Sequence, residues 1–151
     1  MNPQRRSVGL AGRFVPLVML LAVTTGLFAE TNISVSLSGA DEVPPVSTTA
    51  TGMVNITVLP NRNVSGSIDI SGMVPTMAHI HEGAVGKNGP PIITLNQKGD
   101  TVFTVPADAR LSEDQYTSYL AGNLYVNVHS QNFPNGEIRA QLPGKPIRIA
   151  N

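Results

Sequence analysis

Several short segments of the chain alternate between hydrophobic and polar residues, the pattern of a strand with one face against a core. Within residues 32–38, Ile33, Val35 and Leu37 alternate with polar side chains. Similar alternation, or short apolar runs, predicts further strands at residues 53–59, 64–70, 78–81, 92–95, 101–105, 124–129 and 137–142. Because short turn-forming segments separate several of these strands, we expect neighbouring strands to pair antiparallel.

One segment has the end signals of a helix. Ser112 is followed by acidic residues, which is typical of a helix N-terminus, and Gly122 suits the position just after a C-terminus. The pattern as a whole therefore predicts an all-β fold, an antiparallel sandwich or barrel with one short helix.

The first 29 residues have the character of a secretory signal peptide. Arg5, Arg6 and Arg13 form a basic region, and residues 14–28 form an almost uncharged apolar run. That run is shorter than the ~20 residues that cross a bilayer. We therefore expect cleavage, export to the periplasm or the extracellular space, and no stable membrane anchor after cleavage. A single domain at residues 30–143 and an irregular C-terminal tail at residues 144–151 would remain.

The composition excludes several classes of function. Ten basic and ten acidic residues give a net charge of zero, whereas a nucleic-acid-binding domain is expected to be basic. The chain contains no cysteine, which excludes disulfides, thiolate-bound zinc, iron–sulfur clusters and thiol nucleophiles. No serine lies in a G-x-S-x-G motif and no acidic pair has a spacing that argues for acid–base catalysis. We therefore assign no catalytic residue and favour a binding protein over an enzyme.

All three histidines of the chain fall within two predicted strands. His79 and His81 are two residues apart, so they project from the same face, and His129 shares a face with Tyr125 and Asn127. If the two strands are neighbours, a cross-strand spacing of roughly 5 Å brings His129 within reach of the pair. Three imidazoles at one point would bind one copper or zinc ion, and the residue types do not decide between these metals.

Further polar residues are candidates for supporting this site. Asn127 and Glu137 are candidate partners that fix the orientation of the imidazoles. The glycine-rich loop that follows His81, at residues 82–91, is expected to form the rim. Three residues are assigned to that rim: Glu82, Tyr125 and Arg139.

A metal-free interpretation of the same residues is a hydrogen-bonded polar patch. In this alternative a backbone carbonyl holds His129, and Glu137 pairs with Arg139 or Lys87. Polar residues alternate on any exposed strand, so an H-x-H pair alone does not separate the two interpretations.

Four sequence motifs resemble the CHRD domain, which occurs in the vertebrate secreted protein chordin and in many bacterial exported proteins. The matching segments are LSGADEVPPV at 37–46, AHIHEG at 78–83 with GKNGP at 86–90, LAGNLYVNVHS at 120–130 and PNGEIRAQL at 134–142. The resemblance extends from about residue 33 to residue 142, nearly the whole of the predicted mature chain.

The resemblance implies an immunoglobulin-like β-barrel that is distantly similar to copper/zinc superoxide dismutase, in which an H-x-H pair on a strand contributes copper ligands. By position, this similarity extends to His79, His81 and His129 only. A two-metal dismutase needs a larger ligand set than three histidines supply, so the resemblance is compatible with a single metal at most.

Three functional hypotheses follow. The first is an exported protein that binds one copper or zinc ion through His79, His81 and His129. The second is a metal-free extracellular module that binds a protein or a polysaccharide through the polar strand face and the loop 82–91. The third, a metal-dependent enzyme, requires an open coordination position that a sequence does not reveal.

Overall fold

A computed structural model describes residues 32–144 of the chain. The predicted signal peptide at residues 1–29 lies outside the described residues, as does the predicted tail beyond Gly144. Within residues 32–144, no helix has the length and apolar character that spanning a bilayer requires.

The described part of the chain forms nine strands and one α-helix. The helix, α1, spans Glu113–Leu120, and a single 3-10 turn lies at Gly39–Asp41. The strands are β1 (Asn32–Ser38), β2 (Thr51–Val58), β3 (Val64–Ser71), β4 (Pro75–Glu82), β5 (Pro91–Thr94), β6 (Asn96–Gln97), β7 (Val102–Thr104), β8 (Leu124–Ser130) and β9 (Ile138–Leu142).

All strand pairs are antiparallel, and they form one sheet in the order β5-β4-β8-β9-β1-β2-β3-β7-β6. The two end strands, β5 and β6, are separated in sequence by Leu95 alone. Since one residue cannot bridge the width of a nine-stranded sheet, the sheet curls back on itself into a nearly closed barrel. The predicted all-β fold with one short helix is confirmed.

The barrel interior is filled by the apolar residues of the alternating strands. Val54 and Ile56 of β2 and Ile68 of β3 are fully buried, and Val126 and Val128 of β8 contact the same core. The alternation in the sequence thus identifies the face of these strands that points inward.

Helix α1 begins and ends at the predicted residues. The Ser112 hydroxyl accepts a hydrogen bond from the Gln115 backbone N–H at 3.1 Å, and the Gln115 side chain accepts one from the Ser112 N–H at 2.8 Å. This reciprocal pair satisfies two N-terminal donors, and Gly122 with a φ of 77° follows the helix.

Two elements differ from the expectation. Strand β6 lies between two predicted strands, at residues where no strand is predicted, because its two exposed residues give no apolar signal. Strand β4 begins at Pro75 rather than at Ala78, and its pairing with β8 is irregular between Pro75 and Met77.

Candidate metal centre

Strands β4 and β8 are adjacent in the sheet, which places the three histidines on one outer face. Ala78 and Ile80 of β4 are buried in the core, so the residues between them project to the opposite face. The register pairs Met77 with His129, His79 with Asn127 and His81 with Tyr125.

The three imidazoles form a compact cluster. One ring nitrogen of each histidine lies within 4.8 Å of a ring nitrogen of the other two. Nδ1 of His79 is 3.1 Å from Nε2 of His129, and the ring centroids of His79 and His81 are 5.5 Å apart. His129 is buried, whereas His79 and His81 are half-buried, so the cluster opens to solvent on the β4 side.

Backbone carbonyls determine which nitrogen two of the rings present. Nδ1 of His81 lies 2.9 Å from the Gly89 carbonyl oxygen, and Nδ1 of His129 lies 2.9 Å from that of Pro134. A carbonyl only accepts, so each Nδ1 carries the proton and each neutral ring presents the lone pair of Nε2. Nε2 of His81 is buried without a hydrogen-bond partner.

Burial also keeps these rings neutral. Desolvation is the main cause that lowers the pKa of His79, His81 and His129 below the ordinary histidine value. The hydrogen bonds that His81 and His129 donate to the carbonyls of Gly89 and Pro134 partly oppose this lowering of their pKa. At neutral pH the three side chains therefore carry lone pairs rather than charges.

The loop between β4 and β5 folds back over the outer face instead of leaving it. Its Gly89 carbonyl holds His81, and its Gly89 N–H donates to the Tyr125 hydroxyl at 3.0 Å. A Cβ on Gly89 would lie 1.7 Å from the Glu82 carbonyl oxygen, so the close approach of the two loop ends requires glycine.

Tyr125 and Arg139 lie beneath the loop as part of a three-layer stack. The Tyr125 ring stacks on His81 with centroids 4.8 Å apart and an interplanar angle of 14°, and the Arg139 guanidinium carbon lies 3.5 Å from the Tyr125 centroid. Both side chains are 2% exposed. They lie under the loop and support the His81 ring, whereas the sequence places them in the rim of the site.

Arg139 also ties the loop to the sheet. Its guanidinium donates to the Lys87 carbonyl oxygen at 2.9 Å and to Asn88 Oδ1 at 3.1 Å. Asn88 in turn donates to the Val43 carbonyl at 2.7 Å, which joins the loop to the segment after β1. The metal-free interpretation expects Glu137 to pair with Arg139 or Lys87, whereas Arg139 contacts the loop and Glu137 contacts Thr48 and Ser130.

The remaining predicted residues have partners elsewhere. Glu137 accepts hydrogen bonds from the hydroxyls of Ser130 and, at 2.6 Å, Thr48. Glu82 accepts a hydrogen bond from the hydroxyl of Ser118 in α1 at 2.5 Å. The Asn127 amide donates to Glu42 Oε2 at 3.0 Å. The hydrogen bonds that orient His81 and His129 thus come from backbone carbonyls, not from Asn127 or Glu137.

Glu42 is a buried member of this face that sequence reasoning missed. It is 5% exposed, and burial raises its pKa to about 7 despite the opposing hydrogen bond from Asn127 and the charge of Arg139. Oε1 of Glu42 and Oδ1 of Asn127 both lack a hydrogen-bond donor. No periodicity could have indicated this, because Glu42 lies in a proline-containing loop.

The three imidazoles could bind one tetrahedral metal ion if their ring nitrogens moved slightly closer together. Ring nitrogens bound at 2.0–2.1 Å to one tetrahedral ion lie about 3.4 Å apart. The His79–His129 pair is already at 3.1 Å, and the other nitrogens lie within 4.8 Å. A rotation of the His79 side chain would break its hydrogen bond with His129, and both rings could then bind the same metal ion. The unpartnered Nε2 of His81 is the atom that such an ion would satisfy.

Comparison with known protein families places this site in context. The sequence of residues 33–142 matches the CHRD domain family. The chain belongs to the CHRD domain family. The resemblance noted from the four motifs is confirmed, and the CHRD assignment supports an extracellular type of module. No curated protein and no solved structure matches the chain significantly.

Proposed function

We propose that this CHRD-domain protein binds one copper or zinc ion through His79, His81 and His129. The observation that carries the proposal is the convergence of three neutral imidazoles on one point, with Nε2 of His81 buried and unpartnered. A buried acceptor without a donor costs about 1–3 kcal/mol, and a metal ion would recover that cost.

The surrounding residues would serve this function by holding the rings in place. The carbonyls of Gly89 and Pro134 fix the tautomers of His81 and His129 before the ion arrives. Stacking on Tyr125 restrains the plane of the His81 ring. Such preorganisation reduces the entropy that is lost on binding. A bound ion would supply a positive charge and, if a coordination position stays open, a Lewis acid.

Export to the periplasm or the extracellular space is part of the proposal. It is supported by the family assignment and by the signal-like character of residues 1–29. Fractionation of cells that express the full chain should place the mature protein outside the cytoplasm, with an N-terminus near residue 30. An intact N-terminus in the cytoplasmic fraction would contradict export.

Metal content after loading tests the proposed function. Purified protein is incubated with zinc or copper, desalted and measured by mass spectrometry of the metal. The wild type should retain about one equivalent, and His129→Ala should retain far less. Gln131→Ala, at an exposed position two residues away, is the matched control and should behave like the wild type. Equal metal in wild type and His129→Ala, or none in either, would contradict the proposal.

The second candidate is the metal-free extracellular module that binds a protein or a polysaccharide. The observation that favours it is the hydrogen bond between His79 and His129, which already gives two of the rings a partner. A metal that binds only the folded state raises the melting temperature, and the rise grows with the logarithm of the metal concentration over Kd. An unchanged melting temperature with zinc, copper or a chelator would favour this second candidate.

A further inference from the structure

Met77 lies on the same outer face of β4 as His79 and His81. It precedes His79 by two residues, so Met77, His79 and His81 project from the same side of the strand. In the β4–β8 register Met77 lies directly opposite His129. Directly opposed residues of antiparallel strands have Cβ atoms roughly 5 Å apart, which places the thioether within reach of the His129 ring.

An irregularity in β4 lies directly before Met77. Pro75 pairs with Ser130 and Met77 pairs with His129, so Thr76 is an extra residue on β4. A bulge of this kind redirects the side chains that follow it, and bulges are frequent next to functional sites. Met77 itself pairs with β8 in the same continuous register as His79 and His81, so the three side chains follow one another along the outer face.

The Met77 side chain is also partly exposed to solvent and is not buried in the core. It is 44% exposed, although Ala78 next to it is completely buried. A flexible thioether that is left at the open edge of three imidazoles can move onto an ion bound there. Met53, on the outer face of β2, has a similar exposure of 40% but stands opposite Ser36 and Asp69.

We propose that the ion bound by the histidine cluster is cuprous copper and that the Met77 thioether is its fourth ligand. The proposal rests on the proposed metal-binding function and adds the identity of the metal. Thioethers are soft ligands that select Cu(I), whereas three imidazoles alone suit zinc and copper alike. One methionine and three histidines from two adjacent strands complete a four-coordinate set without cysteine.

Competition with chromophoric chelators tests this proposal. Cu(I) affinity is measured without oxygen against bathocuproine disulfonate, and Zn(II) affinity is measured against a colorimetric zinc chelator. The variants are Met77→Leu, which removes only the sulfur from a side chain of similar size, and Met53→Leu as the matched control. We expect Met77→Leu to weaken Cu(I) binding at least tenfold and to leave Zn(II) binding within twofold. Met53→Leu should change neither affinity.

The possible results separate this inference from the proposed function. If the wild type binds metal and Met77→Leu leaves Cu(I) affinity within twofold, the thioether ligand is contradicted while the three-histidine site stands. If Met77→Leu weakens Cu(I) and Zn(II) equally, the effect is one of packing, and the inference is again contradicted. If the wild type binds neither ion, both proposals fall.

Discussion

The β2–β3 hairpin and the β8–β9 hairpin are built from the same alternating pattern but differ in what covers their outer faces. In β2 and β3 the positions between core residues are exposed or half-buried, as at Met53 and Asp69. In β8 all seven residues are buried, and in β9 four of the five are buried. Alternation therefore identifies the inner face of both hairpins but does not indicate whether the other face meets water.

The difference comes from two loops that lie across the outer face of β8 and β9. The loop at residues 83–90 and the segment after β1 contact this face through hydrogen bonds from Arg139, Asn127 and Gln141. Polar groups that lose water in this way need partners inside the protein. The outer face of β8–β9 is thus a second, polar interior, and the histidine cluster lies at its edge.

Removal of the buried Arg139 guanidinium should cause the largest loss of stability in this polar interior. Arg139→Met deletes the hydrogen bonds to Lys87 and Asn88 and leaves their oxygens without donors. We expect a loss of about 2–5 kcal/mol in the free energy of unfolding, measured by urea denaturation, because each partly buried oxygen that is left without a donor costs about 1–3 kcal/mol. Asp69→Asn, on the exposed face of β3, is the control and should change stability by less than about 0.5 kcal/mol. Equal effects of the two changes would mean that the two outer faces do not differ.

The buried carboxyl of Glu42 should make stability depend on pH. Its pKa is raised from 4.5 to about 7, so the folded state holds a proton that the unfolded state loses between these values. The free energy of unfolding should therefore fall as pH rises through this window and level off above it. Glu42→Gln cannot ionise, and its amide can donate to the unpartnered Oδ1 of Asn127.

The variant and the wild type should therefore diverge as pH rises. We expect Glu42→Gln to gain on the order of 2–3 kcal/mol relative to wild type between about pH 4.5 and pH 7.5. Histidine titration affects both proteins, so it cancels in this difference. Urea denaturation across the pH range measures it. A constant difference at all pH values would show that Glu42 ionises normally in the folded protein.

Opening the loop at its tightest point should have a smaller effect on stability. Gly89→Ala places a Cβ against the Glu82 carbonyl and displaces the carbonyl that holds His81. We expect a loss of about 2 kcal/mol in the free energy of unfolding, together with weaker metal retention. Gly99→Ala adds its Cβ to open space, with no atom within 4 Å, and should be nearly neutral. A neutral Gly89→Ala would contradict the role assigned to the loop.

Much of the fold follows from local patterns that the sequence displays directly. The core positions of β1, β2, β3 and β8 come from period-two alternation, and α1 comes from Ser112 and Gly122. Strand β6 could not be predicted, because its two residues are exposed and its pairing with β7 is a tertiary contact.

The site was predictable only in part, for a physical reason. The convergence of His79, His81 and His129 requires only that β4 and β8 be neighbours, and strand parity then gives the shared face. The partners of these rings are backbone carbonyls of Gly89 and Pro134, which every residue carries and no motif reveals. The proposed ligand Met77 could have been found from the sequence, because the segment M-x-H-x-H at residues 77–81 shows the same alternation as the histidine pair.

X-ray absorption at the zinc edge of the zinc-loaded wild-type protein tests the three-histidine site most directly. We expect one retained equivalent of zinc, with the scattering of three imidazole rings bound through nitrogen at ~2.0–2.1 Å. His129→Ala should lose zinc or show at most two imidazoles. A wild-type protein that retains no zinc, or zinc with fewer than three imidazoles, would contradict the claim that His79, His81 and His129 form one metal site.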